Sequence, residues 1–359
     1  MPMSAPTFLI IADGKFAVET AKTATSAVRY LPERVVAVLD ASQAGRTCHD
    51  VLGFGGAIPI VATIEEGFAR DPRAILIGIA PTGGALPPAW RDWILAAIDR
   101  GLEVWSGLHT YLSDDPELAA RARARGVRIF DLRKPPAQLP VSNGRARLVD
   151  AHVCLTVGTD CSSGKMTAQV ELVAGLQAKG LRTRFVPTGQ TGILLAGWGI
   201  SVDAVVADFI GGAAEQLVLE GAQDADVVLL EGQGSLIHPG YSGVTLGLLH
   251  GACPASMVLC HQASRRLIGQ YHGASAWVPI PPLARMVRIY EDAVAPVRAS
   301  KVIGIALNTY DLTEPAARDA LKRAEDETGL PVTDPVRFDK APLVDAIAAA
   351  AARRARPSA

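Results

Sequence analysis

Residues 152–167 read His-Val-Cys-Leu-Thr-Val-Gly-Thr-Asp-Cys-Ser-Ser-Gly-Lys-Met-Thr. An apolar run of strand length enters a loop opened by Gly158 and closed by Gly164, with Lys165 next and Thr167 two places on. Small residues let successive backbone N–H groups turn toward one anion. A helix beginning near Lys165 aims the positive end of its dipole at the same point. The lysine adds a full charge that reaches outer phosphates. This strand–loop–helix unit cradles phosphate, and it constrains what the rest of the chain folds into.

The spacing departs from the usual form, which has four residues between the glycines and Ser or Thr directly after the lysine. Here Thr159, Asp160, Cys161, Ser162 and Ser163 stand between them, and Met166 separates Lys165 from Thr167. One inserted residue still leaves a loop between strand and helix. Thr167 is then the candidate for the metal-binding hydroxyl. The helix is predicted from the apolar stripe of Met166, Val170, Leu172, Val173 and Leu176, and Lys179-Gly180 stops it.

At 359 residues the chain exceeds one ordinary core, so two domains are expected, divided at 1–140 and 141–359. With 49% hydrophobic and 20% charged residues it can bury large cores and is not disordered. A net charge of −1, with no basic block beyond Arg353, Arg354 and Arg356, argues against a nucleic-acid partner. Cys48, Cys154, Cys161, Cys253 and Cys260 are scattered, odd in number and form no CxxC pair. Neither a zinc site nor a disulfide framework is expected, and reduced thiols fit a cytoplasmic location. The N-terminus reads as no secretory signal. Val244–Cys260 is interrupted by Gly247, His250, Gly251 and Pro254, a poor membrane span.

The N-terminal part alternates strand and helix patterns. Strands are predicted at 7–12, 34–39, 74–79, 103–105 and 128–130, and helices at 17–31, 89–100 and 116–125. Such alternation means a parallel sheet with right-handed crossovers. Asp40 sits where a dinucleotide-binding domain places its ribose-binding acid, yet the turn Ala12-Asp13-Gly14-Lys15 lacks GxGxxG. A Rossmann-like scaffold without a dinucleotide is the expectation, with Asp40 a strand-end residue. Pro81-Thr82-Gly83-Gly84 is either a ligand loop or an ordinary turn. Residues 132–150, with Lys134-Pro135-Pro136, Pro140 and Ser142-Asn143-Gly144, read as a linker. Its Arg133 and Lys134 could face a cleft, though solvated linker charge is the plainer reading.

Beyond the phosphate loop, apolar runs end in polar clusters. Thr183–Pro187 leads to Thr188, Gly189, Gln190, Thr191 and Gly192. Asp203–Phe209 delivers Asp208 ahead of Gly211-Gly212. Asp226–Leu230 delivers Glu231 into Gly232, Gln233, Gly234 and Ser235. Met257–Cys260 ends at His261-Gln262, and Lys301–Leu307 at Asn308-Thr309. Open parallel sheets take ligands outside the carboxyl ends of their strands, so these clusters are expected to converge near the phosphate loop. Leu330–Val332 reads as a turn before an Ala-rich helix. Glu231 has the position of an acid holding magnesium or its water, and Asp208 is a second candidate. The glycine loops would bring backbone amides to a carboxylate or carbonyl. His238 and Tyr241 are candidates for acid–base work or substrate contact. Cys161 could carry an acyl group at a lowered pKa, though a small loop-filling residue is the plainer reading.

The run from Gly158 to Thr167, followed by Pro187-Thr-Gly-Gln-Thr-Gly and Glu231-Gly-Gln-Gly-Ser, resembles the dethiobiotin synthetase-like P-loop domain, in which Asn308 matches the purine contact. From Phe8 to about Asp345 the chain is similar to the DgcN-type family. Ile77-Gly-Ile-Ala-Pro-Thr-Gly-Gly, Asp203-Ala-Val-Val-Ala-Asp-Phe-Ile-Gly-Gly-Ala-Ala-Glu and His238-Pro-Gly-Tyr-Ser-Gly-Val carry this likeness. The resemblance implies an α/β protein of two parallel-sheet domains, Rossmann-like then P-loop NTPase-like. It implies N-acetylation of D-glutamate by acetyl-CoA, the loop holding the phosphates of CoA. Glu231, His238 or Asp208 would be the base, and amides of 189–192 or 232–235 would steady the oxyanion. Arg133, Lys134 and Arg265 are candidates for the substrate carboxylates. The competing class is an ATP- and magnesium-dependent carboxylate ligase, with Thr167 and Glu231 at the metal. A third is a nucleotide-binding regulator. A homo-oligomer is expected.

Overall fold

The computed structural model describes residues 6–18, 20–79, 86–269 and 276–354. The chain forms two compact units, Met1–Lys134 with Ile193–Gly197, and Pro135–Gly192 with Trp198–Ala359.

In the first unit the described residues form six strands: β1 (Phe8–Ile11), β2 (Val35–Leu39), β3 (Ile60–Val61), β4 (Ala74–Ile77), β5 (Glu103–Ser106) and β6 (Ile129–Asp131). They hydrogen-bond in the order β3-β2-β1-β4-β5-β6, parallel throughout. This is the doubly wound Rossmann order, with its switch point between β1 and β4. Central β1 and β4 are buried along their whole length, which is why both read as unbroken apolar runs. Two local expectations change. The first helix spans Lys22–Tyr30 rather than 17–31. Phe16 ahead of it is buried, and its N–H donates to the Asp40 carboxylate, which holds that stretch out of the helix. The two-residue β3 gave no periodic signal. Asp40 is fully buried, and its other oxygen accepts from the N–H and Oγ of Ser42. Pro81-Thr82-Gly83-Gly84 lies outside the described residues.

The second unit holds β7 (His152–Gly158), β8 (Thr183–Val186), β9 (Val227–Leu230), β10 (Ser256–Gln262), β11 (Lys301–Asn308) and β12 (Val332–Thr333). Their order is β12-β11-β10-β7-β9-β8, again parallel. Side chains alternate between two cores. Val153, Leu155, Val157, Val228, Leu230, Met257 and Leu259 face the helices Ala207–Gly221, Ser242–Ala252 and Leu283–Val294. Cys154, Val227, Leu229, Val258 and Cys260 pack with Leu172 and Leu176 of helix Lys165–Ala178 and with Leu343, Val344 and Ile347 of helix Ala341–Arg354. The sheet is thus covered on both faces, leaving its carboxyl-end edge for chemistry. The expected turn at 330–332 runs into edge strand β12, whose Val332 and Thr333 pair with Ile305 and Ala306.

Candidate functional site

The loop after β7 is shaped by its backbone. Gly164 ends it at φ +97°, a left-handed conformation that side chains avoid, and Ser162 also has positive φ, at +52°. A Cβ at Gly158 would stand 2.7 Å from Ser163 Oγ and 2.8 Å from Lys165 Nζ, so the ammonium folds back over the loop's first glycine. Lys165 is buried, donating to the carbonyls of Asp160 at 2.8 Å and Gly234 at 2.9 Å. The N–H groups of Ser162, Ser163 and Gly164 donate to no other described residue. Those donors, the ammonium and the start of a fourteen-residue helix make a cationic nest for a phosphate.

A buried frame holds this nest. Asp160 is 1% exposed and accepts from Arg265 Nη1 at 2.8 Å, the Gly269 N–H at 2.8 Å and the Cys161 N–H at 2.7 Å. Arg265 also donates to the Cys161 carbonyl and to Gln262 Oε1 at 2.7 Å. Its guanidinium therefore braces the loop; as a candidate for a substrate carboxylate it is already engaged by Asp160 and Gln262. Thr159 Oγ1 lies 2.8 Å from His261 Nδ1. Tyr290, fully buried, donates to the Gly158 carbonyl at 2.6 Å and accepts the Leu236 N–H at 3.3 Å. Burial pushes its hydroxyl up to about 12. Sequence reasoning missed this tyrosine because it lies on the apolar stripe Leu283, Met286, Tyr290, Val294; a phenol on such a stripe is the available signal.

The acid expected at the end of β9 is 3% exposed. Glu231 Oε2 accepts the Thr188 N–H at 3.0 Å, Oε1 accepts Gln233 Nε2 at 3.3 Å, and its carbonyl accepts Thr188 Oγ1 at 2.8 Å. A Cβ at Gly192 would lie 2.6 Å from Glu231 Oε2, and one at Gly189 would lie 2.6 Å from Gln233 Nε2. These glycines leave the carboxylate and amide room. Gln190 is half-buried and Thr191 buried beside them. Gly234 has φ +63° and turns the chain so that its carbonyl meets Lys165. The carbonyl of buried Ser235 accepts the His238 N–H at 3.0 Å.

His238 is 7% exposed, and its Nε2 lies 4.0 Å from Asp160 Oδ1. Its Nδ1 accepts the Gly240 N–H at 3.0 Å, which assigns the proton of the neutral ring to Nε2. Burial lowers its pKa, with Asp160 opposing and Lys165 reinforcing. Half-exposed Tyr241 packs its ring 4.6 Å from the His238 ring. Cys161 Sγ, His238 and an Asp160 oxygen lie within 4.8 Å of one another. Asp160 is already committed to Arg265, so this trio reads as part of the frame.

The remaining sequence candidates divide. Asn308 ends β11 half-buried, its amide 3.6 Å from a Cβ at Gly164. Met166 is buried, and Thr167 is half-buried in the first helical turn. Asp208 is not at a strand end. Residues 203–209 form a 3-10 turn and the start of helix Ala207–Gly221, where Asp208 is exposed. Among the described residues no hydrogen bond or ion pair joins it to the loop. The residues that follow, Ile210, Ala213, Ala214, Leu217 and Val218, bury one face of that helix, and this packing draws the start of the stretch into it. Lys134 pairs with Asp114 and with Ser113 Oγ inside the first unit, where Arg133 is buried.

The strand order therefore lines up Asn308, His261 and Gln262, the phosphate loop, Glu231 and Thr188 along one edge, over β11, β10, β7, β9 and β8. Four strand spacings make this row about 19 Å long.

Residues 140–344 match the family model described as "Domain of unknown function (DUF1611_C) P-loop domain", and residues 41–135 match its Rossmann-like partner, DUF1611_N. The chain belongs to the DUF1611 family. Two relatives are named D-glutamate N-acetyltransferase. One, from Tritonibacter scottomollicae, is 40% identical over 80% of this chain and 84% of its own. The other, from a Pseudoalteromonas species, is 34% identical over 77% and 81%. A crystal structure of a DUF1611 protein from Anabaena variabilis superposes with a TM-score of 0.91 at 38% identity, covering 96% of this chain and all of that one.

Proposed function

We propose that this protein is an acyltransferase moving an acetyl group from acetyl-CoA to the amine of D-glutamate, with the phosphate loop holding the CoA diphosphate. Family membership beside relatives of that name supports the chemistry. The observation that carries the donor's placement is the row of polar groups along the sheet edge, with a phosphate nest in its middle. A donor with a diphosphate at its centre and long arms on both sides suits such a row. No phosphoryl group needs to move.

The reaction forms a C–N bond and breaks the thioester C–S bond. The amine loses one proton, and the CoA thiolate leaves and regains one. On this reading the pantetheine arm runs from the loop toward β9 and β8, where Glu231 is the base that takes the amine proton. N–H groups of Gly189–Gly192 or Gln233–Ser235 steady the oxyanion. His238 presents an N–H rather than a lone pair at Nε2, so its part is to donate, to a phosphate or the thioester oxygen. The test is CoA release measured with D-glutamate, L-glutamate and no amine. D-glutamate should release CoA far faster than the others; equal rates would end the proposal. Magnesium-dependent ADP formation with a carboxylate substrate would replace it by the ligase reading.

A further inference from the structure

A cavity of about 310 Å³ opens beside the phosphate loop at the carboxyl ends of β10 and β11. Arg265, Arg266 and Arg323 line it, with His261 and one carboxylate, Glu327. Its apolar wall includes Pro281, Pro282 and Leu307. Two lining residues belong equally to the loop's frame: His261 touches Thr159, and Arg265 touches Asp160 and the Cys161 carbonyl. The cavity is thus one side-chain layer from the nest, over the strand next to β7. Glu327 directs Oε1 to the Ala284 N–H at 3.0 Å. Arg323 pairs with Asp319, an exposed side chain of its own helix. Exposed pairs of this kind exchange readily for a better anion. The pKa of His261 is lowered to about 4, chiefly by burial and then by Arg266 and Arg265, so the ring is neutral among the guanidinium groups.

From this juxtaposition we infer that the cavity receives the 3′-phosphorylated ribose and base of coenzyme A, with Arg266 and Arg323 on the 3′-phosphate. Guanidinium forks match phosphate oxygens in pairs, and flat proline and leucine surfaces suit a base. In CoA a single ribose separates the diphosphate from the 3′-phosphate. That matches a nest over β7 and a cationic cavity over β10 and β11, one to two strand spacings, about 5–10 Å, away. Arg265, tied to Asp160, is the wall between the two phosphate positions. The inference rests on the acetyl-CoA reading and adds to it a reason for preferring CoA over a nucleotide that lacks the 3′-phosphate.

The test compares acetyl-CoA with acetyl-3′-dephospho-CoA as donors for the full-length enzyme, and then for R266A/R323A. The wild type should show a KM at least about 10-fold lower for acetyl-CoA, as expected for a lost charge-assisted pair. In the double variant that ratio should fall to about 1. Equal KM values in the wild type would overturn this inference while leaving acetyl-CoA as donor. A double variant that keeps the wild-type ratio would overturn the assignment to these arginines. Absence of turnover with either donor would overturn the acetyl-CoA reading and this inference with it. The wild-type comparison needs no variant, so a folding defect in R266A/R323A cannot obscure it.

Discussion

Lys165 shows how one residue can be both legible and surprising. Its charge at the head of a helix is evident from the sequence. That its ammonium is buried and clasped by the Asp160 and Gly234 carbonyls is not, because Gly234 lies 69 residues away in the chain. Replacing it with alanine removes the one full charge in the nest. On the proposed function, Lys165→Ala should weaken acetyl-CoA binding by about 2–3 kcal/mol, read by calorimetry. Unchanged affinity with an intact fold would remove the loop from the donor site. Tyr290 is the complementary case, invisible as a functional residue but in contact with the loop's first carbonyl. Tyr290→Phe leaves the Gly158 carbonyl and the Leu236 N–H without their buried partner. A loss of about 1–3 kcal/mol in urea unfolding is expected. Glu231 and Thr188 were each legible as strand-end residues. Their mutual hydrogen bonds were not, since these depend on β8 and β9 lying side by side.

At the scale of elements, helix Lys165–Ala178 carries the loop on one end and a core face along its length. Leu172 is fully buried against Cys154, Leu229 and their neighbours. Leu172→Ala should cost about 2–5 kcal/mol through lost burial and a residual cavity, seen as a lower denaturant midpoint at unchanged slope. A smaller loss would mean that the face collapses around the gap. The proline-rich stretch read as a linker turns out to be anchored. Glu215, fully buried, accepts from the backbone of Asn143 and Arg145 and from the Arg145 guanidinium at 3.0 Å. A Cβ at Gly212 would stand 1.6 Å from the Pro140 carbonyl, so that stretch runs directly over the helix. Long apolar runs announced the strands well, because central parallel strands are buried on both faces. Besides the start of the first helix, the failures were β3, β12 and residues 203–209. The first two are two-residue strands whose pairing comes from a neighbour. The third exchanged strand for helix because a mixed run is decided by its packing.

For the whole molecule, the buried histidine beside the loop links protonation to stability. His261 has its pKa lowered to about 4 from an ordinary 6.5, with burial the main cause. The unfolded chain therefore takes up a proton that the folded chain refuses. The resulting loss of stability sets in as pH falls below about 6.5 and is complete near 4, and is on the order of 3 kcal/mol. Urea midpoints between pH 8 and 4 should fall across that window in the wild type. His261→Gln, which keeps a hydrogen bond to Thr159 within reach, should flatten the decline. Parallel curves for the two proteins would show that other groups carry it.

The sequence by itself determined two α/β domains, a P-loop turn after a buried strand, and most strand ends that carry polar residues. These follow from local periodicity and from glycine placement, which act over a few residues. The tertiary structure decided the row along the sheet edge, the Asp160–Arg265–Gln262 frame and the arginine-lined cavity. Each of these joins residues that strand order, not chain order, makes neighbours: β10 lies directly beside β7 and β11 next beyond it, although about a hundred residues and more separate them from the loop after β7. Such proximity is set by which strands pair, and no short window of sequence contains it.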